Sequence, residues 1–142
     1  MSSRRRGREL ALQLLYQLDM VKADVNKAVK AFWELQESIP QEDTKEFCED
    51  LARGTSEHSN QIDRLIEETA SNWRLGRMAV VDRNILRLAV YELLYREDIP
   101  STVTINEAIE LGKRFGTEDS GAFINGVLDK ITERIPLRKI EK

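Results

Sequence analysis

The residues best equipped for chemistry stand at the start of the chain: Arg4, Arg5, Arg6 and Arg8 all precede the first acidic residue, Glu9. A guanidinium presents a planar fork of N–H donors that matches phosphate, so a run of them suits a polyanion. The charge balance sharpens this reading, because the net charge is −3 and setting those four arginines aside leaves the remainder at −7. A basic tip on an acidic body confines nucleic acid to one end, since the body repels it. On spacing alone a second reading stands beside it, a solvated and frayed terminus. Tyr16 lies two turns beyond Arg8, where a base can stack on the ring while the arginines hold phosphates. A half-buried tyrosine with its hydroxyl in water has the same pattern.

Other chemistry is hard to assemble. The sequence has no phosphate-binding glycine loop, no clustered metal ligands and no nucleophile near a histidine. His58 is the only histidine, and no cysteine-histidine or carboxylate-histidine spacing accompanies it, which argues against a metal or general-base role. Cys48 is the only cysteine, so an internal disulfide is excluded and the composition fits a reducing cytosol. Carboxylates are plentiful, but most sit next to lysine or arginine at ordinary ion-pair spacing. The expectation is a protein that is not an enzyme and uses no cofactor. One segment departs from this plainness: Phe115 to Gly121, FGTEDSG, sets an aromatic beside a turn dense in small and polar residues. On chemistry alone it reads as a structural turn.

Positioning these residues falls to helices. The stretch from Arg77 to Tyr95 is apolar almost all the way round, so it belongs in the middle of a core with other helices packed on it. Its polar residues Asp82, Arg83, Asn84 and Arg87 crowd into the first half, which is therefore expected to reach a surface. Leu10, Leu14, Leu15 and Leu18 recur at helical spacing and predict a first helix from about residue 4 to 21, with Ser2 or Ser3 as its cap. That helix carries the arginines on a rigid element, where their charge opposes the helix dipole and a phosphate would relieve the penalty. Asp24 caps a second helix that ends at Ile39-Pro40.

From about 42 to 71 a single apolar stripe predicts one long helix, with Gly54 a close-packing point or a mild break. Trp73 to Gly76 lead into the central helix, which stops at Ile99-Pro100. Thr104 to Glu107 read as a capping box opening a helix from about 105 to 115, and Gly116 as its left-handed stop. A last helix rests on Phe123, Ile124, Val127, Leu128 and Ile131 and ends at Pro136 before a loose basic tail. No segment alternates with period two, so no sheet is expected. A length of 142 residues suits one domain with a core that needs no staples. No uncharged apolar run approaches the roughly 18 residues that span a bilayer, and no apolar signal segment follows the arginines. A soluble cytoplasmic protein with no membrane association is expected.

Three segments together resemble the NusB family of bacterial transcription antitermination factors: RRRGRELALQLLYQLDM at 4 to 20, VVDRNILRLAVYELL at 80 to 94, and NEAIELGKRFGTEDSGAFINGVLDK at 106 to 130. The resemblance runs along nearly the whole chain and is strongest in the last segment. It implies an all-α fold of about seven helices in two three-helix subdomains packed across each other, divided near residues 75 and 76. It also implies a non-enzymatic role, in which family members pair with NusE, a protein of the small ribosomal subunit. The pair recognises single-stranded boxA RNA in nascent ribosomal RNA transcripts and, with other Nus factors, makes RNA polymerase resistant to termination.

Carried over by position, Arg4, Arg5, Arg6, Arg8 and Tyr16 match the family's RNA-contacting N-terminus, and Phe115 and Phe123 match aromatic positions near the RNA. Asp82 and Asp119 match acidic positions at or near the NusE and RNA surface, and are assigned to NusE binding. Some family members self-associate, so a monomer or a weak homodimer is implied. Two other readings stand against this one: a helical protein-interaction module that binds no RNA, and an accessory RNA-binding domain like that of ribosomal RNA cytosine methyltransferases. The chain is too short to hold a catalytic methyltransferase domain as well.

Overall fold

Apolar side chains recur every three to four positions along most of this sequence, and the backbone follows them into α-helix. The computed structural model describes residues 3–70 and 74–135. Among them are α1 (Ser3–Val21), α2 (Val25–Leu35), α3 (Glu42–Glu57), α4 (Ser59–Thr69), α5 (Val80–Tyr95), α6 (Ser101–Phe115) and α7 (Ser120–Arg134), with one 3-10 turn at Leu75–Arg77. No strand occurs among the described residues, in line with the all-α expectation. Ser2, Trp73, Pro136 and the basic tail lie outside them.

The chain divides into two compact units, Met1–Glu57 and His58–Lys142. Within the second unit α4 packs on α5 and α7. The same division breaks the long helix expected from 42 to 71. His58 leaves the helical region (φ −105°, ψ 20°) and separates α3 from α4, whereas Gly54 stays buried inside α3. The His58 ring stacks on Tyr95, with centroids 4.1 Å apart, and lies 6.4 Å from Tyr91.

In the first unit α1 and α3 form the main pair, and α2 packs against both. Leu10, Leu14, Phe32 and Leu51 fill its core. Gly7 sets the approach of α1 to α3, because a β-carbon there would lie 2.8 Å from Phe47 Cδ2 and 3.3 Å from the Thr44 carbonyl oxygen. Asp24 caps α2 as expected, accepting from the Lys27 N–H at 3.1 Å, and α2 closes at Leu35, a turn short of Ile39-Pro40.

In the second unit α5 runs through the middle of α4, α6 and α7, as a helix buried on most sides must. Ile85, Leu86, Leu88 and Val90 are fully enclosed. Its polar first half reaches the surface only in part: Arg83 and Arg87 keep partial exposure, whereas Asp82 and Asn84 are enclosed. Asn84 Nδ2 donates to the Val80 carbonyl at 2.9 Å, and Arg87 forks onto Asp63 at 2.8 and 3.2 Å and donates to Asn84 Oδ1 at 3.1 Å. A bidentate pair of this kind fixes α4 against α5.

Two expected helix signals also resolve differently. Pro100, with φ at −59°, opens α6 at Ser101, so Thr104 is already inside the helix and is buried. Its hydroxyl donates to Glu92 Oε1 at 2.9 Å, tying α6 to α5, and caps nothing. Gly116 closes α6 in extended backbone (φ −98°, ψ −157°), not in the left-handed region. Space is what glycine supplies there, since a β-carbon would meet Ser120 Cβ at 2.7 Å and the Gly112 carbonyl oxygen at 2.9 Å.

Candidate nucleic-acid interface

The first unit contributes the cationic end of α1. Arg4, Arg5 and Arg6 are exposed, while burial begins at Gly7. Arg8 corrects the expectation of four presented cations: it is 3% exposed, its Cζ 5.3 Å from the centroid of the Phe47 ring. Arg4 reaches the same ring, with Cζ at 5.1 Å, so helical spacing brings two of the arginines together on one aromatic from α3. Arg6 turns the other way, donating to Glu9 Oε1 at 3.2 Å, and Glu9 is itself buried. No acidic residue occupies the first turn of α1. Positive charge therefore accumulates at the helix end whose dipole also favours an anion, where Ser3 Oγ donates to Asp43 Oδ2 of α3 at 3.3 Å.

Farther along α1, Tyr16 is 41% exposed beside exposed Gln13 and Gln17. Two turns separate it from Arg8, about 12 Å at 1.5 Å per residue. A wet ring at that spacing offers a flat apolar face to a base.

The second unit contributes the corner between α6 and α7. Phe115, the last residue of α6, is 42% exposed, with Arg114 Cζ 5.3 Å from its ring centroid. The turn behind it is held by Ser120, whose Oγ accepts from the Thr117 N–H at 2.9 Å and whose own N–H donates to the Thr117 carbonyl at 3.1 Å. Asp119 is exposed at the N-cap position of α7 and makes no side-chain capping bond, so its carboxylate is not engaged by its own helix. Phe123 lies one turn into α7 and is half-buried. Phe115, Asp119 and Phe123 thus belong to one helix-turn-helix corner. Asp82 does not share it: it stands on the first turn of α5, 9% exposed, with Oδ1 buried and without a hydrogen-bond partner.

Phe47 is the residue that sequence reasoning assigned only to an apolar stripe. An aromatic on the inner face of a helix reads as core, and nothing in the spacing of α3 shows that its ring takes two guanidinium groups from α1. Its neighbour Cys48 is fully enclosed, and burial pushes the thiol up to about 12, with Glu49 adding to the shift and Arg6 opposing it. A thiol held neutral in this way is a poor nucleophile and a poor ligand. No group of three or more histidine, cysteine, aspartate or glutamate residues able to hold a metal occurs among the described residues. No helix among them is long and apolar enough to cross a membrane. The exposed arginines, the Tyr16 and Phe115 rings and the Asp119 carboxylate are groups suited to binding.

Comparison with known proteins agrees with this chemistry. The NusB family model matches residues 5–133. A transcription antitermination protein NusB from Anaeromyxobacter dehalogenans is 53% identical over 137 residues, covering 96% of this chain and 95% of its own. Among solved structures, T. maritima NusB superposes with a TM-score of 0.83 at 42% identity, covering 94% of this chain and 92% of that one. A chain in a crystal structure of the antitermination factors NusB and NusE in complex with dsRNA superposes with a TM-score of 0.85 at 28% identity, covering 95% of this chain and 99% of that one.

Proposed function

Because the chain belongs to the NusB family, we propose that it is a transcription antitermination factor that pairs with NusE and binds single-stranded boxA RNA in nascent ribosomal RNA transcripts. With other Nus factors, the complex helps make RNA polymerase resistant to termination. The observation that carries this reading is the exposed arginine turn of α1, three cations on a rigid helix end of an otherwise acidic chain. Arg4, Arg5 and Arg6 hold phosphates, and the Tyr16 ring takes a base, the division of labour by which single strands are bound. Phe115 and Phe123 offer further ring faces to RNA. Asp119 belongs to the NusE surface, where an exposed carboxylate not engaged by its own helix is available to a basic partner.

The role is assembly without bond-making chemistry, carried out in the cytoplasm where transcription occurs. A single strand is favoured over a duplex because stacking on Tyr16 and Phe115 needs unpaired bases. The test is a fluorescence-anisotropy titration of single-stranded boxA RNA, with and without NusE, beside a duplex of the same sequence. The expected result is salt-sensitive binding of the single strand that NusE tightens, with weaker binding of the duplex. No binding of either RNA, alone or with NusE, would leave a helical protein-interaction module in place of an RNA-binding factor.

A further inference from the structure

We infer that Gln13 is a specificity-determining residue of the α1 surface, its carboxamide reading the edge of the base that stacks on Tyr16. The inference rests on the RNA-binding reading above and deepens it from the grip on phosphate to the choice of base. It starts from a stretch without charge. Asp, Glu, Lys and Arg make up 33% of the chain, yet residues 10–18, LALQLLYQL, contain none of them. Leu10, Ala11, Leu12, Leu14 and Leu15 take the buried side of this stretch. Its exposed positions hold Gln13, Tyr16 and Gln17. Contact with water alone is met by charged residues elsewhere, as on α2, where Lys27, Lys30 and Glu34 are exposed. Neither glutamine amide nor the Tyr16 hydroxyl has a hydrogen-bond partner among the described residues.

Helix geometry singles out Gln13 from this neutral strip. Gln13 and Tyr16 are three residues apart and so are neighbours on the helix surface. Aromatic side chains on a helix lean toward its N-terminus, which carries the Tyr16 ring over the turn that holds Gln13. Gln17 follows Tyr16 directly, and adjacent residues do not face each other. A base laid on the ring therefore turns its edge toward Gln13. A carboxamide sets an acceptor beside two donors and can pair in bidentate fashion with an edge that offers one donor and one acceptor. It also reads without charge, whereas a lysine or arginine at this position would hold any phosphate and a carboxylate would repel the strand. Arg6 lies two turns before Gln13 on the same side of α1, about 10 Å away at 1.5 Å per residue. Affinity thus comes from the end of the helix and base choice from its middle.

The experiment uses the full chain and measures, by anisotropy, binding of single-stranded boxA RNA and of a set of RNAs in which each base in turn is exchanged. The native chain is expected to lose about fivefold or more at the position that is read, the lower end for a bidentate amide–base contact. Gln13→Ala should shrink that loss to less than about twofold while leaving the salt slope as it is. Tyr16→Ala should abolish the preference at the same position, because the base is no longer seated. Gln17→Ala removes an equally exposed amide and should keep the native preference, which separates a directed contact from a polar helix face. A native chain indifferent to every exchange, a Gln13→Ala chain that weakens equally toward all the RNAs or keeps the native preference, or different positions affected by Gln13→Ala and Tyr16→Ala would each overturn the role. If replacing Arg4, Arg5 and Arg6 leaves RNA affinity unchanged, the RNA reading fails and takes this role with it. If the arginines matter and the base preference survives Gln13→Ala, only the role of Gln13 is lost.

Discussion

Arg6 and Arg8 are separated by one glycine and meet opposite surroundings. The Arg6 side chain is 48% exposed beside Glu9, whereas Arg8 is buried on Phe47. Their contributions to stability should differ accordingly. Arg8→Ala removes a packed stem and a desolvated cation–π contact and should destabilise by about 1 to 3 kcal/mol, while Arg5→Ala should stay within about 0.5 kcal/mol. Urea denaturation of both variants checks this, and equal losses would mean that Arg8 is not enclosed. Cys48 yields a second expectation at this scale. Its thiol is raised in the folded chain from 9.0 to about 12, so the folded state keeps a proton that the unfolded state releases. The stability this contributes is complete below about pH 9 and is lost as pH rises toward 12. Native protein at pH 8 should accordingly react slowly with a thiol reagent and quickly in denaturant, whereas fast native labelling would contradict the burial.

At the scale of elements, the junction of α5 and α6 is secured by a polar contact inside the core. Glu92 is 1% exposed and accepts from the Thr104 hydroxyl at 2.9 Å. Thr104→Val keeps the shape and removes that donor, which should cost about 1 to 3 kcal/mol in chemical denaturation. A loss below about 0.5 kcal/mol would mean that the hydroxyl acts at the helix surface, as a capping residue would. Thr104 also shows how far the elements were legible in the sequence. Its spacing to Glu107 matches a capping box, but Pro100 lies just upstream with its φ already suited to a helix, and the earlier start wins. Periodicity located the helices because burial of one face demands it. It passed over the break at His58 because the stripes of α3 and α4 remain nearly in phase across a single non-helical residue. The polar half of α5 was legible in part: Arg83 and Arg87 keep partial exposure, whereas Asn84 looks solvent-seeking in sequence and donates to the Val80 carbonyl in the fold.

At the scale of the whole molecule, the first unit carries the exposed cations and Tyr16, and the second carries the corner of Phe115, Asp119 and Phe123. The arginine run was legible because it stands apart from the acidic remainder. Which arginine is buried was not legible, because that depends on the close approach of α3 at Gly7. Asp119→Lys reverses an exposed charge that caps nothing, so calorimetry should show weakened NusE binding with a melting temperature near that of the native chain. Unchanged affinity for NusE would remove Asp119 from the partner surface.

The central claim is that the exposed arginine turn holds RNA phosphates, and the salt dependence of binding reports on it most directly. Each phosphate contact on a single strand contributes about 0.7 to the slope of log affinity against log salt. The variant with Arg4, Arg5 and Arg6 replaced by alanine, keeping Arg8 and so the fold, should bind single-stranded boxA RNA with a slope smaller in magnitude by about 2. Measured by anisotropy at several salt concentrations, a variant with the native slope and affinity would contradict the claim, leaving the arginine turn a solvated helix end.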